Sequence, residues 1–150
     1  MGVFEIKDRA AGGRIGILHT PHGKVTTPTL LPVVNPNLDL IPPKEMRQMF
    51  GTEIIITNSY ILRQSATLKE RVLREGVHKV LDWDGPIMTD SGTFQSYMYG
   101  TVAVLPQEIV EFQTKIGVDI GTILDVFTTP DKTHEEAKTE LAETLIRAKA

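Results

Sequence analysis

The sequence predicts an α/β fold: a partial (β/α)8 barrel of about four βα units preceded by an antiparallel hairpin. Short apolar runs alternate with amphipathic helical stretches from residue 29 onward. The strands start about every 30 residues, the length of a βα repeat. The first 28 residues lack this rhythm and carry instead a turn, Thr20-Pro21-His22-Gly23, between two alternating segments. A complete barrel takes about 250 residues, so a chain of 150 is expected to be the amino-terminal part of a longer one. On this division residues 1–28 form the hairpin and 29–150 the βα units. A four-stranded open sheet fits the same alternation.

Arg14 to His19 and Lys24 to Thr27 are the hairpin strands. Thr29 to Val34 is an apolar strand stopped by Asn35-Pro36. Pro42-Pro43 opens a helix with Met46, Met49 and Phe50 on one face and Gly51 as its stop. Glu53 to Thr57, rich in Ile, has the composition of a strand buried on both faces. Ile61 to Glu75 reads as one amphipathic helix ended by Gly76, and Pro86 to Thr89 as the next strand. Pro106 to Ile116 is a helix with Ile109, Phe112 and Ile116 inward, followed by a strand from Ile120 to Val126. Thr133-His134-Glu135-Glu136 is a capping box, and Ala137, Leu141, Leu145 and Ala148 continue an apolar stripe toward Ala150.

Composition narrows the function classes. Hydrophobic residues are 41% and charged residues 23%, which excludes a disordered chain, a collagen-like repeat and a coiled coil. With 16 Lys+Arg against 19 Asp+Glu, net charge −3, the chain is not one that wraps nucleic acid unaided. No cysteine is present, so no disulfide and no Cys-based metal site can form. Apolar runs such as Ile54-Ile55-Ile56 are far short of a membrane span, and the amino terminus lacks a signal-peptide pattern. A cytoplasmic protein is the expectation.

In barrels the reactive groups sit at the carboxyl ends of the strands. Those positions hold Asn58, Ser59 and Tyr60, then Asp90, Ser91, Gly92, Thr93, Phe94 and Gln95, then Asp125 with Thr128, Thr129 and Pro130. From Asp84 to Phe127 six acidic residues stand against one basic one, Lys115. Such a mouth repels phosphate and suits a reaction that develops positive charge, such as glycosidic cleavage through an oxocarbenium-like transition state. The bland alternatives are specific. An Asp after a strand is more often a helix N-cap, by about two to one. Phe94 and Tyr60 taken singly read as core. Asp125, inside an apolar strand, would need a buried partner. His19, His22, His78 and His134 show no metal spacing and read as surface residues; no metal ligand is expected. The five basic residues between Arg63 and Lys79 read as a solvated helix face rather than an RNA contact.

Asp90-Ser91-Gly92-Thr93-Phe94-Gln95 resembles the Asp-Ser-Gly-x-(Phe/Tyr)-Gln signature of tRNA-guanine transglycosylases. Gly13-Arg14-Ile15-Gly16 through His19-Thr20-Pro21-His22-Gly23 resembles that family's amino-terminal hairpin. Thr57-Asn58-Ser59-Tyr60 resembles its Asn-x-Tyr segment, and Asp119-Ile120-Gly121 through Asp125 its second acidic motif. Thr93, and Asp125 followed by Val126-Phe127-Thr128-Thr129-Pro130, are more similar to the archaeal branch, which inserts 7-cyano-7-deazaguanine into the D-loop of tRNA.

The resemblance implies exchange of a guanine in tRNA for a 7-deazaguanine at the same ribose carbon, with retention and hence a carboxylate mechanism. It implies that Asp90 is the catalytic carboxylate, as nucleophile or acid/base. Asp125 would read the purine N1–H and 2-amino group, Phe94 would stack on the base, and Ser91 and Asn58 would supply neutral hydrogen bonds. Full-length members carry a later Asp and a Cys-x-Cys-x2-Cys…His structural zinc site, for which this chain has no residues; no cofactor is expected within it. The expected partners are tRNA, the guanine or 7-deazaguanine base, and a complementing carboxyl-terminal half or a second copy. The chain alone is expected to be inactive. The competing class is a non-catalytic half-barrel that binds purines, and a weaker one an unrelated half-barrel acting on a nucleoside or sugar.

Overall fold

The computed structural model describes residues 3–38, 40–99 and 104–149. Its amino-terminal part is an antiparallel sheet of three strands, β1 (Phe4–Ala10), β2 (Gly13–Thr20) and β3 (Gly23–Thr27), in the order β1-β2-β3. The expected hairpin is β2–β3, closing through Thr20↔Gly23. The strand β1, with only exposed residues, adds to its other side.

The remainder is α/β. Helix α1 (Pro43–Phe50) begins at the predicted proline and ends on Gly51 in the left-handed conformation. Strand β4 (Ile55–Asn58) is followed by α2 (Ser59–Gln64), α3 (Ala66–Glu75) and the single turn α4 (Val77–Val80). Strand β5 (Ile87–Asp90) leads into α5 (Thr93–Tyr99) and α6 (Pro106–Ile116), and β6 (Ile120–Gly121) precedes α7 (His134–Arg147). The second sheet is parallel, ordered β4-β5-β6. Its core joins Val34, Ile55, Leu62, Val72, Val77, Leu81, Trp83, Ile87, Phe112 and Ile116. Ile109, Phe112 and Ile116 face inward on α6 as their spacing requires. No described helix is long and apolar enough to cross a membrane.

Several expectations are corrected. Thr29 to Val34 is not a strand: only Val33 pairs, through an isolated parallel bridge to Ile56, because the flanking prolines interrupt the ladder. The helix expected over 61–75 is two, broken at Ser65, whose extended backbone and hydroxyl cap the Leu68 N–H. Helix α5 was not anticipated; its Thr, Phe and Tyr residues are indifferent helix formers. The strand expected from Ile120 to Val126 shrinks to Ile120–Gly121, and 122–129 is irregular. The stripe on α7 is not covered: Leu141 and Leu145 are exposed, and none of its residues is buried. On α1 only Met46 packs against the core, whereas Met49 and Phe50 are exposed. Ala150 lies outside the described residues.

Candidate active site at the carboxyl ends of the parallel strands

Parallel pairing brings the site together. In the β4–β5 ladder Ile55, Ile56, Thr57 and Asn58 stand beside Ile87, Met88, Thr89 and Asp90. Asn58 and Asp90 therefore meet at the carboxyl end of both strands. The Asn58 Nδ2 donates to Asp90 Oδ1 at 2.7 Å and to Gln95 Oε1 at 3.1 Å. Its Oδ1 accepts from the Ile61 N–H, so the same amide caps α2. Ser59 Oγ donates to the Asp90 carbonyl at 2.7 Å.

Asp90 is not the simple N-cap that an Asp after a strand usually is. Its Oδ1 also accepts from the Gly92 N–H at 2.7 Å, so among the described residues both hydrogen bonds to its side chain fall on one oxygen. Burial pushes its carboxyl above the usual carboxylate range; the Gly92 and Asn58 donors oppose that shift, and the Asp125 charge adds to it. Gly92 has φ +80, and a Cβ there would run into the Tyr60 side chain. The close Gly92–Tyr60 approach is what turns the chain tightly enough to aim its N–H at Asp90.

Ser91 is buried, its hydroxyl paired with Thr93 Oγ1 at 3.1 Å. Phe94 is half exposed, against the expectation for an isolated aromatic, and meets Phe127 edge-on at 5.5 Å. Tyr97 lies over the same Phe127 at 4.7 Å. Phe127 and Tyr97 thus join Phe94 in an aromatic group, a feature the strand-end reading missed.

Asp125 is corrected from a buried strand residue to an exposed one on the irregular 122–129 segment. It needs no buried partner because water solvates it. The segment is fixed from three sides. Gln113, buried on α6, accepts from Thr89 Oγ1 at 2.7 Å and from the Thr122 N–H at 3.0 Å, and donates to the Thr122 carbonyl at 2.8 Å. Thr144 Oγ1 accepts from the Val126 N–H, and Arg147 donates to the Leu124 carbonyl at 3.1 Å. Thr93 Oγ1 reaches the Asp125 carbonyl at 3.4 Å. Gln113 had no sequence signal beyond being a polar residue near an apolar stripe.

A cleft of about 260 Å3 adjoins the site, lined by Tyr60, Arg63, Gln64, Ser91 and Ile109 among others. It shares Tyr60 and Ser91 with the strand-end residues but not Asp90. Two of the four histidines are not scattered: His22, exposed as expected, and the part-buried His78 stack on each other at 3.7 Å, each with a ring nitrogen on the buried side chain of Asp119. They sit at the amino-terminal end of β5, away from Asp90.

The family model described as "Queuine tRNA-ribosyltransferase" matches residues 8–150. A tRNA-guanine(15) transglycosylase of Methanosarcina barkeri is 57% identical over 148 residues, 99% of this chain and 30% of that protein. Those of Pyrococcus furiosus and Thermoplasma acidophilum are 54% and 52% identical, over 97% and 96% of this chain and 25% and 23% of theirs. The chain therefore spans less than a third of the length of these relatives.

Proposed function

The chain belongs to the queuine tRNA-ribosyltransferase family, and from that premise we propose that it carries the catalytic carboxylate and part of the purine pocket of an enzyme that exchanges guanine in tRNA for another base. The observation that carries the proposal is Asp90, half-buried at the strand ends and bonded through one oxygen by Asn58 and Gly92. Among the described residues its other oxygen has no hydrogen-bond partner, and we assign it to a substrate atom.

Exchange at one ribose carbon with retention takes two displacements. A carboxylate bonds to C1′ as the N9–C1′ bond to guanine breaks; the incoming base then attacks C1′ through N9 and frees the carboxylate. A second acid/base group protonates the leaving base and deprotonates the incoming one. Asp90 fills one of these two roles. Burial, which makes its carboxyl hold a proton more readily, favours the acid/base role. Asp125, exposed on a firmly held segment, reads the N1–H and 2-amino edge of the purine with its two oxygens. Phe94, half exposed and backed by Phe127, is the stacking face for the base, and such stacking contributes about 1–3 kcal/mol. Ser91 and Asn58 hold the loop and the carboxylate in place. The target nucleotide has to leave the stack to reach this rim.

We read the parallel strands as an arc of a barrel, with the antiparallel sheet before it. Leu141, Leu145 and Ile146 on α7 are exposed, which fits a face covered by further barrel or by a second copy. The relatives' names point to guanine 15, in keeping with the D-loop expectation and with 7-cyano-7-deazaguanine as the incoming base. Cytoplasmic placement follows from the tRNA substrate. The family's structural zinc does not fit these residues, since the chain has no cysteine, and no step is assigned to it.

The test is incorporation of labelled guanine into unmodified tRNA, by this chain alone and by a full-length protein carrying it. We expect none from the chain alone and turnover from the full-length protein. Asp90→Asn should cut that turnover about 10³-fold while guanine still binds. Efficient exchange by the chain alone would overturn the need for more protein. Unchanged exchange by D90N would leave only a purine-binding module.

A further inference from the structure

At the end of the sheet opposite Asp90, three groups from distant parts of the chain converge. His22 belongs to the β2–β3 turn, His78 to α4, and Asp119 stands just before β6. The His22 Nδ1 lies 3.0 Å from Asp119 Oδ1, and the His78 Nε2 lies 3.2 Å from Asp119 Oδ2. We propose that these three side chains form a binding site for a divalent transition-metal ion of the zinc and cobalt class. The proposal does not depend on the base-exchange reading.

The donor set is the first argument. Two imidazoles and a carboxylate suit zinc, cobalt or nickel; magnesium and calcium prefer oxygen throughout. The geometry is the second. One nitrogen from each ring and one carboxylate oxygen lie within 4.8 Å of one another. Ligands about 2.0–2.1 Å from a tetrahedral zinc stand roughly 3.3 Å apart; each ring nitrogen stands at about that separation from its own carboxylate oxygen, so the ion would sit against both oxygens of Asp119. The remaining closure falls to the His22 ring, which is 42% exposed and would tilt out of its stack on His78 to bring its nitrogen in line.

The third argument is that Asp119 is held independently of the rings. Its side chain is fully buried. Oδ1 accepts from the main-chain N–H of His22 at 3.1 Å, and Oδ2 from that of Ile87 at 2.9 Å. Each oxygen keeps a second lone pair on the imidazole side. Main-chain donors that orient a carboxylate are the outer support that metal ligands require. In the metal-free protein each ring points an N–H at the carboxylate. On binding, that proton moves to the other ring nitrogen, and the freed lone pair takes the ion. Water reaching the exposed His22 side fills the open coordination positions. The bound ion would clamp the β2–β3 turn onto the starts of β5 and β6, so its effect falls on stability.

The experiment uses this chain stripped by a chelator, with zinc(II) or cobalt(II) chloride as the probe. We expect one equivalent of zinc to bind, to raise the melting temperature, and to shift the side-chain nitrogen resonances of His22 and His78 together. Cobalt should give visible absorption bands of a nitrogen–oxygen site. His22→Gln, a change in an exposed turn, should weaken binding about 10-fold or more, and His134→Ala should not. The proposal is overturned if the resonances of His22 and His78 stay unmoved in saturating zinc, or if H22Q binds as tightly as the parent. The spectra of the unaltered protein decide the matter even where H22Q fails to fold.

Discussion

Asn58 and Asp90 are register partners in the β4–β5 ladder, and the Asn58 Nδ2 donates to Asp90 Oδ1 at 2.7 Å. One amide thus caps α2 and orients the candidate catalytic carboxylate. Asn58→Asp keeps a good N-cap but sets a second carboxylate against the first. The cap itself should change stability by no more than about 1 kcal/mol, the second buried carboxylate lowers stability further at pH 7, and the Asp90 carboxyl titrates at higher pH than in the parent. Carbon-13 NMR of the Asp90 carboxyl follows the titration; an unchanged midpoint would show that the pair is not coupled.

Asp90 itself gives a pH dependence of stability. Its carboxyl is raised in the folded chain, chiefly by burial. The folded state therefore binds the proton more tightly than the unfolded state, and stability falls as pH rises from the ordinary Asp value of 3.8 through the raised one. Asp90→Asn retains an oxygen for the Gly92 and Asn58 donors and removes the buried charge. Urea unfolding should show D90N at least as stable as the parent at pH 7, with that advantage gone in acid below the ordinary Asp value. Base exchange by the full-length protein should fall by about 10³-fold. A large loss of stability at pH 7 would mean that the charge is structurally required.

The legible parts of the sequence were those governed by local rules. Pro43, Pro106 and Gly51 set helix ends that the structure keeps, and the Thr133 capping box opens α7 as predicted. Asp90, Ser91 and Asn58 could be singled out because the end of a strand is a local property. What escaped depends on contacts far along the chain. The run from Ile120 to Val126 is apolar enough for a strand, yet past Gly121 its main chain bonds to Gln113, Thr144 and Arg147 instead of a ladder. That exchange moved Asp125 from core to surface. Likewise no spacing rule joins His22 to Asp119, 97 residues away.

Gly92→Ala tests the turn after β5. At φ +80 a Cβ is strained, and here it also collides with Tyr60. Strain and overlap together should lower stability by about 1–3 kcal/mol. Relaxing them moves the Gly92 N–H off Asp90 Oδ1, so exchange by the full-length protein should drop further than the stability loss explains. Thermal melts and exchange rates on the same variant separate the two effects. A melt within a degree of the parent would mean that the turn adjusts freely.

Gln113→Leu tests whether the segment bearing Asp125 is held from α6. The change keeps the buried volume and removes the bonds to Thr89 and to both main-chain groups of Thr122. Unpaired buried polar groups cost about 1–3 kcal/mol each, so a loss of about 2–4 kcal/mol is expected, with water reaching Thr122 limiting it. Hydrogen exchange should quicken selectively at Thr122 and Val126, while β4 and the Leu62–Val72 side of the core stay protected. In the full-length protein the apparent KM for the base should rise more than kcat falls, because Asp125 is argued to bind the base rather than react with it. Uniformly faster exchange across the core would instead mean that Gln113 supports the fold as a whole.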